Sequence, residues 1–395
     1  LKSPDGDLID HGLVLWFPGP ESATGEDLAE FHVHGSPAVI NRLLSVLQEM
    51  PGCTAAGPGD FTRRAFANGR MDLMEVEGLA DLFAAETEGQ RRLALRQLTG
   101  AGSAVVAGWR LQLVDALAWL EASIDFADED GVADSARGRV STALEDLKMS
   151  LSSAAAQAER GGHLRTGIKV VVVGPPNAGK SSLVNRLALR QVALVSPEPG
   201  TTRDVLEARI VLDGFPVILT DTAGLRREDR AGDVERQGMK RAREEASSSD
   251  LVILVMSPDT SDGFSRDGLT PDLVVWNKAD IAPSIPLRND WTDCTNCQIS
   301  AATGEGVDGM LDLIRARLRG LTTVAQTAMG LRERHVASLN QSIRHLNDAL
   351  ALSSDEMELV SEHVRLAIRE LERLSGRVEV DDVLGRIFGE FCVGK

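Results

Sequence analysis

The sequence runs to 395 residues, 43% hydrophobic and 26% charged, with a formal net charge of −17. That length exceeds one ordinary core and implies two or three domains, and the acidic balance excludes a protein that coats nucleic acid nonspecifically while leaving room for a substrate held by a local basic patch. Aromatics are 4% with no Tyr, so stacking platforms for single strands are scarce; four cysteines are too few for a disulfide scaffold and point to a reducing, cytoplasmic setting.

The chain opens on LKSPDGDLID, polar and without an initiator Met, so its first domain is expected to be N-terminally incomplete. Strand-like runs at Leu13–Phe17 and Phe31–His34, Gly/Pro turns and a helical period over Val39–Glu49 describe an α+β segment ending near residue 69. From Met71 to Glu159 the apolar residues, among them Leu79, Leu82, Phe83, Leu111, Val114 and Leu117, recur at helix spacing. The acidic run DFADEDGVAD interrupts this pattern, and GGHLRTG is expected to end it. Helical periodicity returns over Leu331–Leu352, Met357–Leu374 and Asp382–Phe388. The pattern predicts an α/β domain inserted into a helical one, divided as 1–69, 70–164, 165–322 and 323–395, with the two helical flanks sharing a core. No apolar run approaches the roughly 20 residues that span a bilayer.

The inserted segment carries the chemistry. Ile168–Val173 is a β-branched run suited to a buried parallel strand, and it enters GPPNAGKS, a full G-x-x-x-x-G-K-[ST] match, followed by a helical SSLVNRLAL. Backbone N–H groups over Asn177, Ala178, Gly179, Lys180, Ser181 and Ser182 would cradle phosphates at a helix N-terminus. Lys180 would reach the β- and γ-phosphates and Ser181 would ligate Mg²⁺.

Asn277-Lys278-Ala279-Asp280 selects the base. A carboxylate at Asp280 can accept from guanine N1–H and from the exocyclic amine together, a donor pair that adenine lacks. Asn277 would bond the base edge or hold the nucleotide loop, the Lys278 stem could cover the ring, and Ser300-Ala301-Ala302 fits a backbone loop meeting guanine O6. Between these motifs, Gly200-Thr201-Thr202-Arg203-Asp204 offers Thr202 to complete a Mg²⁺ shell. Asp221-Thr222-Ala223-Gly224 offers a carboxylate for a magnesium-bound water and a glycine that senses the γ-phosphate. Leu225 stands where many regulatory GTPases carry a water-orienting Gln, leaving Asn177, Asp233 and Glu235 as candidates for that work. Cys294 and Cys297 form a CxxC pair with no suitably spaced second pair or histidines, and read as incidental thiols rather than a zinc site.

Together GPPNAGKSS, GTTRD, DTAGLR with DVERQG, NKAD and a terminal FCVGK resemble the tRNA-modification GTPase family MnmE (TrmE), as do WFPGPESATGED, HGSP, GDFTRRAFANGRMDLMEVEGLADL and IDFADED. The resemblance covers nearly the whole chain. It implies a homodimer formed through the N-terminal domain, and a one-carbon tetrahydrofolate (5-formyl or methylene form) held by Glu30, Arg70 and Lys395. It also implies a heterotetramer with the flavoprotein MnmG (GidA) that installs an aminomethyl-type group at carbon 5 of the wobble uridine of certain tRNAs. Potassium-stimulated hydrolysis coupled to G-domain dimerisation is implied too, with K⁺ held by Asn177, Ser196, Glu198 and Thr201. Glu235 corresponds to the family's water-orienting glutamate, and Cys392 to a cysteine with a proposed role in the modification. Ser196 and Gly200 belong to the same switch segment. A different class stays open: a regulatory Era/EngA-like GTPase in ribosome assembly, although this C-terminal block is not strongly basic.

Overall fold

The computed structural model describes residues 1–125, 132–190, 207–221, 244–260, 270–282, 294–325, 329–352, 356–378 and Ile387. These residues form two compact units. One comprises residues 1–84, 94–153 and 333–395; the other comprises 85–93 and 154–332.

In the first unit β1 (Leu13–Phe17) pairs antiparallel with β2 (Leu28–His32), with Val14 opposite Phe31. The second strand begins three residues earlier than the apolar run suggests, because pairing to β1 recruits Leu28 and Ala29. Helix α1 (Pro37–Gln48) starts with proline in its first turn, where the missing N–H costs nothing. Helix α2 (Asp60–Ala67) leads to α3 (Leu73–Phe83), which opens on a reciprocal cap. Glu75 N–H donates to Asp72 Oδ1 at 2.9 Å, and Asp72 N–H to Glu75 Oε2 at 2.8 Å. Helices α4 (Glu88–Leu98), α5 (Ala101–Asp125) and α6 (Val132–Thr166) follow, α4 and α6 each contributing residues to both units.

Helix α6 does not stop at its glycine pair. It continues through Gly161 and Gly162 to Thr166 and ends at Gly167, whose left-handed backbone (φ 89°) sends its N–H to the His163 carbonyl. Each glycine costs about 1 kcal/mol of helix propensity. Buried Leu164, packed into the sheet core of the second unit, holds the last turn nonetheless.

The second unit is a six-stranded sheet built from β3 (Ile168–Val173), β4 (Glu207–Leu212), β5 (Phe215–Asp221), β6 (Leu251–Met256), β7 (Leu273–Trp276) and β8 (Thr295–Gln298). Its order is β4-β5-β3-β6-β7-β8, parallel except for β4. The antiparallel edge follows from the Asp213-Gly214 turn, where both residues take positive φ as a two-residue hairpin requires. Strand alternation divides the core. Ile168, Val170 and Val172 join Leu183, Val184 and Leu187 of α7 (Lys180–Arg190) and Val307, Met310, Leu311, Ile314 and Leu318 of α8 (Val307–Ala325) on one face, while Val171, Val173, Leu254, Val274 and Trp276 occupy the other. Residues 85–93 belong here as well: Leu93 lies in the first of these clusters and Gln90 Nε2–H donates to the Arg165 carbonyl at 3.0 Å.

The chain then re-enters the first unit as a helical hairpin, α9 (Glu333–Ala351) and α10 (Met357–Ser375). Arg110 of α5 pairs with Glu372 at 2.7 Å, and Ser342 Oγ–H donates to the Ala367 carbonyl at 3.3 Å. The decisive contact joins residues 257 positions apart: fully buried Glu77 of α3 accepts two bonds from Arg334, at 2.7 and 2.9 Å, with His335 Nε2 2.9 Å from its Oε2. Arg334 also donates to the Arg373 and Leu374 carbonyls at the end of α10. The helical core is therefore stitched from both sides of the insertion, as the pattern predicts. Asp382–Phe388 lies outside the described residues apart from buried Ile387, which packs on Leu73 and Val76.

Burial alone would raise the Glu77 carboxyl, but His335 and Arg334 outweigh it and hold the group down at about 2. A depressed carboxylate contributes stability above its ordinary value of 4.5 and loses it as pH falls toward 2. Glu77→Gln is expected to destabilise the chain by about 3–5 kcal/mol at neutral pH, because it removes the buried counter-charge of half-buried Arg334 and the partner of buried His335. In thermal unfolding followed by helical circular dichroism, the gap between wild type and variant should narrow across that acidic window; equal melting temperatures at pH 7 would contradict the assignment.

Candidate functional site

Strand β3 leaves the sheet through Gly174 (φ 146°), where an added Cβ would collide with the Val255 carbonyl of β6. Only glycine lets the two backbones approach so closely. The loop then turns at exposed Asn177, whose φ of 63° places it in the left-handed region, and buries Ala178. Helix α7 begins at Lys180, so its first unpaired N–H groups, Ser181 and exposed Ser182 among them, face the loop mouth as an anion-binding end does.

Lys180 curls over its own loop. Its ammonium donates to the Gly174 and Pro175 carbonyls at 2.9 and 2.8 Å, which fixes the charge beside the cradle. Ser181 Oγ–H donates to Asp221 Oδ2 at 2.5 Å, so the hydroxyl expected on Mg²⁺ and the carboxylate expected on its water stand together at the ends of α7 and β5. A hard cation takes oxygen ligands of this type, and the pair fits one.

The base-recognition loops meet at Asn277. Its carboxamide is buried: Nδ2–H donates to the Ala178 carbonyl at 2.9 Å and Oδ1 accepts from Ala301 N–H at 2.9 Å. Both bonds serve the loop-holding role among the two open for this residue. Gly179 (φ 93°) makes that possible, because a Cβ there would overlap Asn277 Nδ2. Ala279 N–H donates to the Ile299 carbonyl at 3.0 Å, and Asp280 stands exposed beyond it, able to meet a purine edge. Lys278, also in the left-handed region (φ 67°), directs its ammonium to Asp259 at 2.7 Å, which holds that carboxyl down at about 2. Buried Ser300 accepts from Thr303 N–H at 3.1 Å and shapes the turn that carries Ala301 and exposed Ala302.

Sequence reasoning missed Arg186. From the middle of α7 it donates through Nε to the Ala301 carbonyl at 2.8 Å and reaches the Ala302 and Thr303 carbonyls with its remaining nitrogens. No motif position marks it; the only signal is an arginine two turns past the P-loop lysine, on a helix edge.

Ser196, Glu198, Gly200, Thr201, Thr202, Thr222, Ala223, Gly224, Asp233, Glu235, Cys392 and Lys395 lie outside the described residues. Glu30 and Arg70 are both exposed; Glu30 Oε2 lies 3.2 Å from His32 Nε2, and the Arg70 stem runs beside Gly25. Cys294 and Cys297 pack on opposite faces of the sheet, and burial pushes the Cys297 thiol up to about 11. Thiols on opposite faces of the sheet are poorly placed to share a metal ion.

Two family models cover this chain: the GTP-binding protein TrmE N-terminus over residues 1–70 and the MnmE helical domain over residues 73–392. A tRNA modification GTPase MnmE of Azorhizobium caulinodans is 47% identical over 396 residues, covering 100% of this chain and 88% of its own. One of the same name from Methylobacterium radiotolerans is 47% identical over 401 residues, covering 100% and 89%. The chain belongs to the MnmE family. Among solved structures, the G domain of the T. maritima FeoB iron transporter is similar over 38% of this chain and 98% of its own, at 23% identity and a TM-score of 0.29. The MnmE helical-domain match spans both flanks of the nucleotide-binding unit, as the Glu77–Arg334 pair does. Among the described residues no helix is long and apolar enough to cross a membrane.

Asn277→Ala removes both loop bonds at once. At about 0.5–1.5 kcal/mol net per bond, guanine-nucleotide affinity is expected to fall roughly 10- to 100-fold. Titration with a fluorescent GDP analogue measures this, and unchanged affinity would refute the clamp.

Proposed function

We propose that this chain hydrolyses GTP as part of a tRNA modification enzyme, acting with the flavoprotein MnmG to add a carboxymethylaminomethyl-type group to carbon 5 of the wobble uridine of certain tRNAs. The observation that carries the reading is identity of 47% to proteins named tRNA modification GTPase MnmE, across the whole of this chain and 88% of theirs. The observed arrangement of Lys180, Ser181, Asp221 and Asn277 supports it.

In this reading the loop amides and Lys180 bind the phosphates, and Asp280 with the Ser300–Ala302 loop selects guanine. Ser181 and Thr202 hold Mg²⁺, while Asn177, Ser196, Glu198 and Thr201 hold K⁺. These ions supply fixed positive charge beside the phosphates, offsetting the charge that develops on the leaving oxygen. Glu235 orients the water whose oxygen bonds to the γ-phosphorus as the bond to the β–γ bridging oxygen breaks, yielding GDP and phosphate. The exposed, left-handed Asn177 presents its amide from the rim of the loop, a position consistent with ion binding.

Domains at 1–69, 70–164, 165–322 and 323–395 divide the work. The first forms the homodimer and holds a one-carbon tetrahydrofolate through Glu30, Arg70 and Lys395, with Cys392 serving the modification. Approach and separation of paired G domains couple hydrolysis to that chemistry in the cytoplasm. Mass analysis of the wobble uridine in tRNA tests the proposal. A strain lacking this chain should lose the modification and regain it on complementation; tRNA modified equally with and without the chain would overturn the reading.

A further inference from the structure

Away from the nucleotide site, the α9–α10 hairpin carries three groups for which the proposed function has no use. His345 and Asp348 lie one turn apart on α9 and therefore share a face. His363 lies on α10. One ligand atom from each of the three falls within 4.8 Å of the other two. The imidazole rings are 5.8 Å apart between centroids, tilted by 41°.

The two histidines are poorly served by protein alone. The Nδ1 atoms of His345 and of His363 are both buried and make no hydrogen bond among the described residues. Asp348 does not satisfy His363: its Oδ2 lies 4.0 Å from Nδ1, beyond hydrogen-bond reach. A buried polar nitrogen without a partner destabilises a fold by about 1–3 kcal/mol, and here two of them sit beside a carboxylate. A hairpin whose register is set by the Ser342–Ala367 bond, about one turn away on each helix, brings these groups together rather than apart.

We propose that His345, Asp348 and His363 form a binding site for a divalent first-row transition-metal ion, with Zn²⁺ the best match, that staples α9 to α10. Around a tetrahedral ion with bonds near 2.0 Å, ligand atoms stand about 3.3 Å apart. Closing from the present separations takes a shift of less than about 1 Å per side chain, within rotamer adjustment. Two neutral imidazoles and one carboxylate suit zinc, cobalt or nickel. Mg²⁺ and Ca²⁺ demand oxygen-rich shells, so the ion of the nucleotide site does not compete. Three protein ligands leave one position for water or an incoming side chain.

The test is titration of the untagged, chelator-treated full chain, saturated with Mg²⁺ and GDP, with Co²⁺ as a visible-absorbing probe and Zn²⁺ as competitor. One equivalent of Co²⁺ should bind with ligand-field bands and no thiolate charge-transfer band, and Zn²⁺ should displace it. His345→Gln and His363→Gln should each weaken affinity by more than about tenfold. Exposed Asp348→Asn, the variant that least threatens the fold, should weaken it as well. GTP turnover in Mg²⁺ should be unchanged in all three. Equal Co²⁺ affinity in wild type and Asp348→Asn, or a thiolate band pointing to Cys294 and Cys297, would overturn the proposal.

Discussion

The nucleotide site depends on one buried carboxamide. Asn277 leaves the sheet at the end of β7 and, within a single side chain, joins the phosphate loop through the Ala178 carbonyl and the base loop through Ala301 N–H. Each bond in isolation contributes about 1 kcal/mol, but the alternative is a buried amide with both ends unsatisfied, which costs considerably more. The loops therefore hold one relative position before any nucleotide arrives. Arg186 adds a second tie from α7 to the same base loop, and Gly179 exists as glycine so that Asn277 can approach. Preorganisation of this kind is what lets phosphate and base contacts act together rather than in sequence.

The helical unit solves a different problem by a related device. Its core is assembled from segments on either side of the nucleotide-binding unit, and each flank alone exposes apolar stripes. The Glu77–Arg334–His335 cluster joins α3 to α9 through a buried carboxylate that meets both partners in this register. Buried ion pairs are weak sources of net stability and stronger sources of specificity, since a misaligned flank strands a charge in the core. Gly376 closes the same seam: in the left-handed region at the end of α10, it lies against Leu73 and Phe66, where a Cβ would clash.

Much of this was legible in the sequence because local chemistry and fold coincide there. The P-loop needs strand, glycine loop and helix in that order, and Ile168–Ser181 states all three. The helix stripes of α9 and α10 were readable to within about two residues, since their polar and apolar faces are cleanly separated. Three features were hidden for physical reasons. Whether Asn277 faces the base or the loops depends on where Ala178 and Ala301 come to rest, which is tertiary information. Arg186 acts through backbone carbonyls, which carry no residue identity. The end of α6 was misplaced because local glycine propensity lost to burial of Leu164 at the sheet. Residues 85–93 joined the nucleotide-binding unit through Leu93 and Gln90, contacts that a helical period cannot assign to one partner or another.

The central claim is that this prearranged pocket reads guanine through Asp280. Equilibrium binding of GDP, ADP and XDP to the wild-type chain and to Asp280→Asn tests it most directly. Xanthine carries a carbonyl where guanine has its amine, so Asn at this position can donate where Asp can only accept. GDP should bind wild type more than about a thousandfold tighter than ADP, a difference of roughly 4 kcal/mol, and the variant should lose GDP affinity while gaining XDP. Equal affinity of the wild-type chain for GDP and ADP would contradict the account.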